Sequence, residues 1–105
     1  MAKLKVLNGP IAGTVTDLDA HTPLIIGRLP DCDLAISESL VSGHHARVEF
    51  SDEGWTITDL NSSNGTEVDG VVVEAVPLKD GAMVTLGGKI QVQFILGQTG
   101  GKAVA

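Results

Sequence analysis

Ala46-Arg47-Val48-Glu49-Phe50-Ser51-Asp52-Glu53-Gly54-Trp55-Thr56-Ile57-Thr58-Asp59 is the stretch that decides the architecture. Ala46, Val48 and Phe50 share one parity, and Trp55 and Ile57 share another. Such period-two alternation marks half-buried strands. Ser51-Asp52-Glu53-Gly54 between them is a turn by composition. The segment therefore reads as a β-hairpin, with Trp55 as a core anchor. A hairpin fixes where its flanks go. The residues before Ala46 and after Asp59 must meet at one end, so Ser42-Gly43-His44-His45 is expected beside Asn61-Ser62-Ser63-Asn64-Gly65. Those loops carry hydroxyls, carboxamides and backbone amides. Such a rim suits oxygen acceptors, either phosphate or peptide carbonyls.

Working outward, the same short period recurs. Lys3 to Val6 alternates, and Gly13 to Leu18 reads as a second strand. Pro23 to Arg28 is a continuous apolar run, the pattern of a strand buried on both faces. Leu34 to Ile36 is a very short strand. Asp69-Gly70 links Thr66–Val68 to Val71–Val73, and Gly87-Gly88 is expected to be a two-residue link between Met83–Leu86 and Lys89–Leu96. In the last strand Ile90, Val92, Phe94 and Leu96 face one way. Thirteen glycines supply the positive φ angles that so many tight turns require. No window long enough for a helix has a 3.6-residue period. Ten or so short strands imply an all-β sandwich or barrel.

Composition narrows the function. At 105 residues the chain is expected to form one domain, over residues 1–97, followed by a flexible tail at 98–105. Seven Lys and Arg against thirteen Asp and Glu give a net charge of −6. That argues against general nucleic-acid binding, which rests on cationic contacts to phosphate, and against adhesion to anionic lipid. The single cysteine, Cys32, excludes an internal disulfide framework. No apolar run approaches a membrane helix, and the N-terminus lacks the apolar stretch of a signal peptide. The expected location is the cytoplasm.

Arg28 follows Gly27 at the end of the apolar run. Its planar, always-charged fork can clamp two phosphate oxygens. A phosphomonoester carries about −1.5 to −2 charges at pH 7 on three acceptor oxygens. One arginine, one serine hydroxyl and a few loop amides can satisfy them.

Together these stretches resemble the forkhead-associated (FHA) domain family. The resemblance rests on Gly27-Arg28-Leu29-Pro30-Asp31-Cys32-Asp33-Leu34-Ala35-Ile36, then Val41-Ser42-Gly43-His44-His45-Ala46, then Asp59-Leu60-Asn61-Ser62-Ser63-Asn64-Gly65-Thr66. Val68-Asp69-Gly70, Leu78-Lys79-Asp80-Gly81 and Val84-Thr85-Leu86-Gly87 extend it from Lys3 to Leu96. It implies a sandwich of two twisted sheets and about eleven strands, whose loops at one apex bind phosphothreonine peptides. By that likeness Arg28 and Ser42 bind the phosphate, with Gly43 offering only its backbone. Asn64 holds the peptide main chain, and Ser63 stands beside the phosphate or the threonine methyl. Gly27, His45, Gly65 and Thr66 support the loops. Leu40 occupies the position the family associates with reading the third residue after the phosphothreonine. Gly43 departs from the family's usual Arg, Lys or Asn, and Asp69 stands where Asn is usual.

The expected function is that of a non-catalytic signalling adaptor. Its partner would be a threonine-phosphorylated protein marked by a Ser/Thr kinase, with no nucleic acid, membrane or cofactor involved. The alternative is a phosphate-independent interaction module of the same fold in a larger assembly, which Gly43 keeps open. A Ser42–His45–Asp59 hydrolase has the residue types of a triad but no Gly-x-Ser-x-Gly elbow. His21 and Cys32 are scattered, and His44 and His45, being adjacent, point to opposite faces, so no metal site is expected.

Overall fold

A computed structural model describes residues 2–96. The expectation for 98–105 lies outside these residues. Eleven strands form β1 (Ala2–Val6), β2 (Val15–Asp17), β3 (Leu24–Gly27), β4 (Leu34–Ala35), β5 (Ala46–Ser51), β6 (Gly54–Asp59), β7 (Thr66–Val68), β8 (Val71–Val72), β9 (Ala75–Pro77), β10 (Met83–Leu86) and β11 (Ile90–Leu96). They make a six-stranded sheet in the order β2-β1-β11-β10-β7-β8 and a five-stranded sheet in the order β4-β3-β5-β6-β9. There is no helix among the described residues.

Alternation builds the core between the sheets. Leu4, Val6, Val84, Leu86, Ile90, Val92 and Phe94 come from the first sheet; Ile26, Ala46, Val48, Trp55 and Ile57 come from the second. Trp55 packs tilted against Phe94 at 6.4 Å between ring centroids, and so anchors the core as its sequence position implies. Burial of each large side chain contributes roughly 1.5–3 kcal/mol.

Several sequence expectations need correction. Phe50 shares the parity of Val48, yet it is 51% exposed. It sits beside the turn of its hairpin, opposite Trp55, and meets that ring edge-on at 5.3 Å. Ile25 is half-buried, so β3 is covered fully on one face only. Leu86 pairs with Ile90, which makes the Gly87-Gly88 link a three-residue connection that includes Lys89. Strand β9 carries no alternation and was not expected; it adds to the sheet by pairing with β6. By contrast, Asp69-Gly70 is a true two-residue hairpin link, with Val68 opposite Val71. Both turn residues have positive φ, 51° and 86°, as a type I′ turn demands.

The fold positions one cluster of loops. Ala46 pairs with Asp59 at the last rung of β5–β6, so the loops before and after that hairpin leave side by side. The end of β3 joins them, because the Arg28 amide donates to the Ser42 carbonyl (2.9 Å) and the His45 amide to the Ile26 carbonyl (2.8 Å). The other sheet reaches the same apex through its β10–β11 turn, where the Gly87 amide donates to the Gly65 carbonyl at 3.0 Å.

Candidate functional site

Three stretches distant in sequence converge on a polar cavity of about 460 Å³ at this apex. Arg28, Ser42, Gly43, Ser63 and Asn64 all line it, with Ser39, His44 and Asn61 beside them. The five residues expected to bind the phosphopeptide thus share one cavity, while Leu40, expected to read a downstream residue, is not part of its lining. The charge comes from Arg28, whose Nε donates to the Val41 carbonyl at 3.1 Å. That bond orients the guanidinium and uses one of its five N–H groups, leaving the two terminal nitrogens for a ligand. The Ser42 hydroxyl oxygen accepts the Ser63 amide at 2.9 Å, so its own proton remains free to donate. Asn64 Nδ2 donates to the Leu40 carbonyl at 3.1 Å, which ties the 38–41 loop to the 61–65 loop. Its Oδ1 and second N–H are left to face a peptide group, which offers one donor and one acceptor.

Beneath the cavity lies His45, wholly buried. Its Nδ1 accepts the Ser42 amide at 3.0 Å and its Nε2 donates to the Gly65 carbonyl at 2.8 Å. The imidazole therefore clamps the two binding loops to each other. These bonds occupy both nitrogens, and neither goes to the Ser42 hydroxyl. Asp59 is engaged elsewhere, so the triad arrangement is not formed.

Asp59 organises the second loop, a role that sequence reasoning missed. Its Oδ1 accepts the Ser62 hydroxyl at 2.5 Å and the Thr66 hydroxyl at 2.7 Å, while Oδ2 accepts the Ser62 amide at 3.0 Å. The Ser62 oxygen in turn accepts the Gly65 amide at 3.0 Å. Burial pushes the Asp59 carboxyl up, but the hydrogen bonds from Ser62 and Thr66 outweigh it and hold the group below the usual aspartate range. The available signal was an aspartate just ahead of the Asn61-Ser62-Ser63-Asn64-Gly65 run, residue types whose short side chains bond nearby backbone in turns.

Two glycines are dictated by space. A Cβ on Gly27 would lie 2.1 Å from the Gly43 carbonyl oxygen and 2.8 Å from Cys32 Sγ. Gly27 therefore lets β3 run flush against the Ser42–His45 loop. Gly87, at φ 64°, would meet the Leu40 carbonyl oxygen at 2.2 Å. Gly65 adopts φ 90°, which suits the turn it closes. Thr66 is buried and holds Asp59. Leu29 and Leu40 flank the cavity as exposed apolar residues, 44% and 40% exposed.

A two-sheet sandwich carrying an arginine-bearing polar cavity between paired loops is the architecture of a loop-apex binding module. The FHA domain model matches residues 24–87, and the chain belongs to the FHA domain family. The FHA domain-containing protein FhaB of Mycolicibacterium smegmatis is 37% identical over 86 residues, covering 81% of this chain. The chain spans 55% of that protein's length, so about half of it has no counterpart here. A structure from a structural and functional analysis of phosphothreonine-dependent FHA domain interactions superposes with a TM-score of 0.83 at 26% identity, over 93% of this chain and 98% of that one. Mycobacterium tuberculosis EmbR in complex with a low-affinity phosphopeptide gives 0.80 at 31% identity, over 94% of this chain and 26% of that one.

Proposed function

We propose that this domain binds threonine-phosphorylated peptides through the apical cavity and acts as a non-catalytic adaptor for proteins marked by a Ser/Thr kinase. One observation carries the reading: the free terminal nitrogens of Arg28, the free Ser42 proton and the Ser63 hydroxyl share one polar cavity with Asn64. A doubly ionised phosphate takes the guanidinium and the hydroxyls. The Asn64 carboxamide pairs with the peptide main chain. Binding needs neither a base nor a nucleophile. The complex of EmbR with a phosphopeptide supports the reading by family likeness.

The net charge of −6 provides no long-range steering for an anionic ligand, so short-range contacts dominate and added salt weakens binding only moderately. Gly43 supplies a backbone amide where the family often has a further side chain. One lost charge-assisted hydrogen bond is worth about 1.5–3 kcal/mol, which places affinity below that of family members with the full set.

Gly43 also keeps the rival reading, a phosphate-independent interaction module. Calorimetry with one threonine peptide, phosphorylated and not, separates them. The proposal expects binding only with phosphate. It expects Arg28→Ala to cost about 2–4 kcal/mol, at least thirtyfold in affinity, with the fold unchanged. Equal affinity for the two peptides would favour the rival.

A further inference from the structure

On the flank of the cavity lies a cluster the phosphopeptide reading does not use. Asp31 and Cys32 sit on the turn after β3, closed by the Cys32 amide donating to the Leu29 carbonyl at 3.1 Å. His44 comes from the loop before β5. The His44 Nε2 is 3.2 Å from each Asp31 carboxylate oxygen. Cys32 Sγ is buried against the Gly43 carbonyl at 3.1 Å. One ligand atom from each of Asp31, Cys32 and His44 falls within 4.8 Å of the others, and this is the only such cluster of three or more His, Cys, Asp or Glu side chains among the described residues. The sequence hides the trio, because His44 stands twelve positions after Cys32 and His21 is not part of it.

We infer that Asp31, Cys32 and His44 form a binding site for a borderline-soft divalent transition metal, of which zinc is the type. Carboxylate, thiolate and imidazole are its ligand classes, and three protein ligands leave a fourth position for water or another oxygen donor. In a tetrahedral zinc site, ligand atoms stand about 3.3–3.7 Å apart. The observed spread needs closure on the order of 1 Å. Asp31 and His44 can supply it, because their side chains are 68% and 50% exposed and free to rotate. The pairing of His44 with Asp31 already brings two ligands together without a metal. Ligation is balanced by one proton: the thiol proton now given to the Gly43 carbonyl passes to solvent as sulfur bonds the ion. Because His44 also lines the polar cavity, the ion, offset by the Asp31 carboxylate and the Cys32 thiolate, would neutralise the negative charge that Asp31 alone places beside that cavity.

Cobalt(II) chloride titrated into the intact reduced chain is the direct probe. The expected result is saturable uptake of one ion per chain, with a near-ultraviolet sulfur-to-cobalt charge-transfer band that zinc chloride abolishes by displacement. Cys32→Ser removes the band, and His44→Ala, a surface change that spares the core, weakens uptake at least about tenfold. His21→Ala changes neither. Absence of a charge-transfer band in the wild-type chain, or uptake unaffected by His44→Ala, overturns the assignment.

Discussion

Replacing His45 with phenylalanine removes the clamp between the two binding loops while keeping a ring in the buried space. The cost follows from the bonds. The Ser42 amide loses its acceptor outright, and an unsatisfied donor away from water costs about 1–3 kcal/mol. The Gly65 carbonyl loses one of two partners, since the Gly87 amide still reaches it at 3.0 Å, and that adds about 0.5–1.5 kcal/mol. The sum is about 1.5–4.5 kcal/mol, or about 7–20 °C in Tm for a domain of this size. His45→Ala adds a cavity and is expected to cost about 3–5 kcal/mol. Urea unfolding followed by Trp55 fluorescence measures both, and phosphopeptide calorimetry on the still-folded His45→Phe chain measures the functional part. Binding should fall along with stability, because Ser42 and Gly65 belong to the two loops that the imidazole joins. A His45→Phe chain within 0.5 kcal/mol of wild type, with unchanged affinity, would refute the clamp (roughly the size of an ordinary surface substitution).

Asp59 gives stability a pH dependence. Its folded-state carboxyl is held below the usual range, so its contribution is complete above about pH 4 and is lost as the pH falls through the lower folded value. Urea midpoints should therefore drop on that acid limb in the wild type, and Asp59→Asn should flatten the limb while lowering stability at neutral pH. Gly27→Ala forces a Cβ onto the Gly43 carbonyl and should cost about 1–3 kcal/mol or more, with weaker phosphopeptide binding from a displaced Ser42 loop, read by melting and calorimetry. Asp69→Asn should stay within about 0.5 kcal/mol, because asparagine tolerates the positive φ and retains the oxygen that accepts the Met83 amide; a larger loss in a thermal melt would contradict the turn assignment.

Most of the fold was legible because alternation and turn chemistry are local. The β5–β6 hairpin placed Ser42 beside Ser63 without any long-range information, and their 2.9 Å bond is that placement realised. Strand β9 was not legible, since three residues with one half-buried valine give no period to read. Phe50 misled because parity states a face but not where the opposing sheet ends. At the site, the residue types of Arg28, Ser42 and Asn64 announced donors. Their prior engagements with Val41, Ser63 and Leu40 were invisible, because each is a bond to the backbone of another loop. The ligand trio of Asp31, Cys32 and His44 escaped for the same reason: it exists only once the turn after β3 folds against the loop before β5.

The central claim is that a guanidinium, hydroxyls and a carboxamide on separate loops engage one phosphate group and its peptide together. Nuclear magnetic resonance titration with a phosphothreonine peptide and its unphosphorylated twin tests this directly. Amide signals of Arg28, Ser42, Ser63 and Asn64 should move in concert, with one dissociation constant, for the phosphorylated peptide alone. Shifts of the same size with the twin, or shifts clustered away from these four residues, would contradict the account.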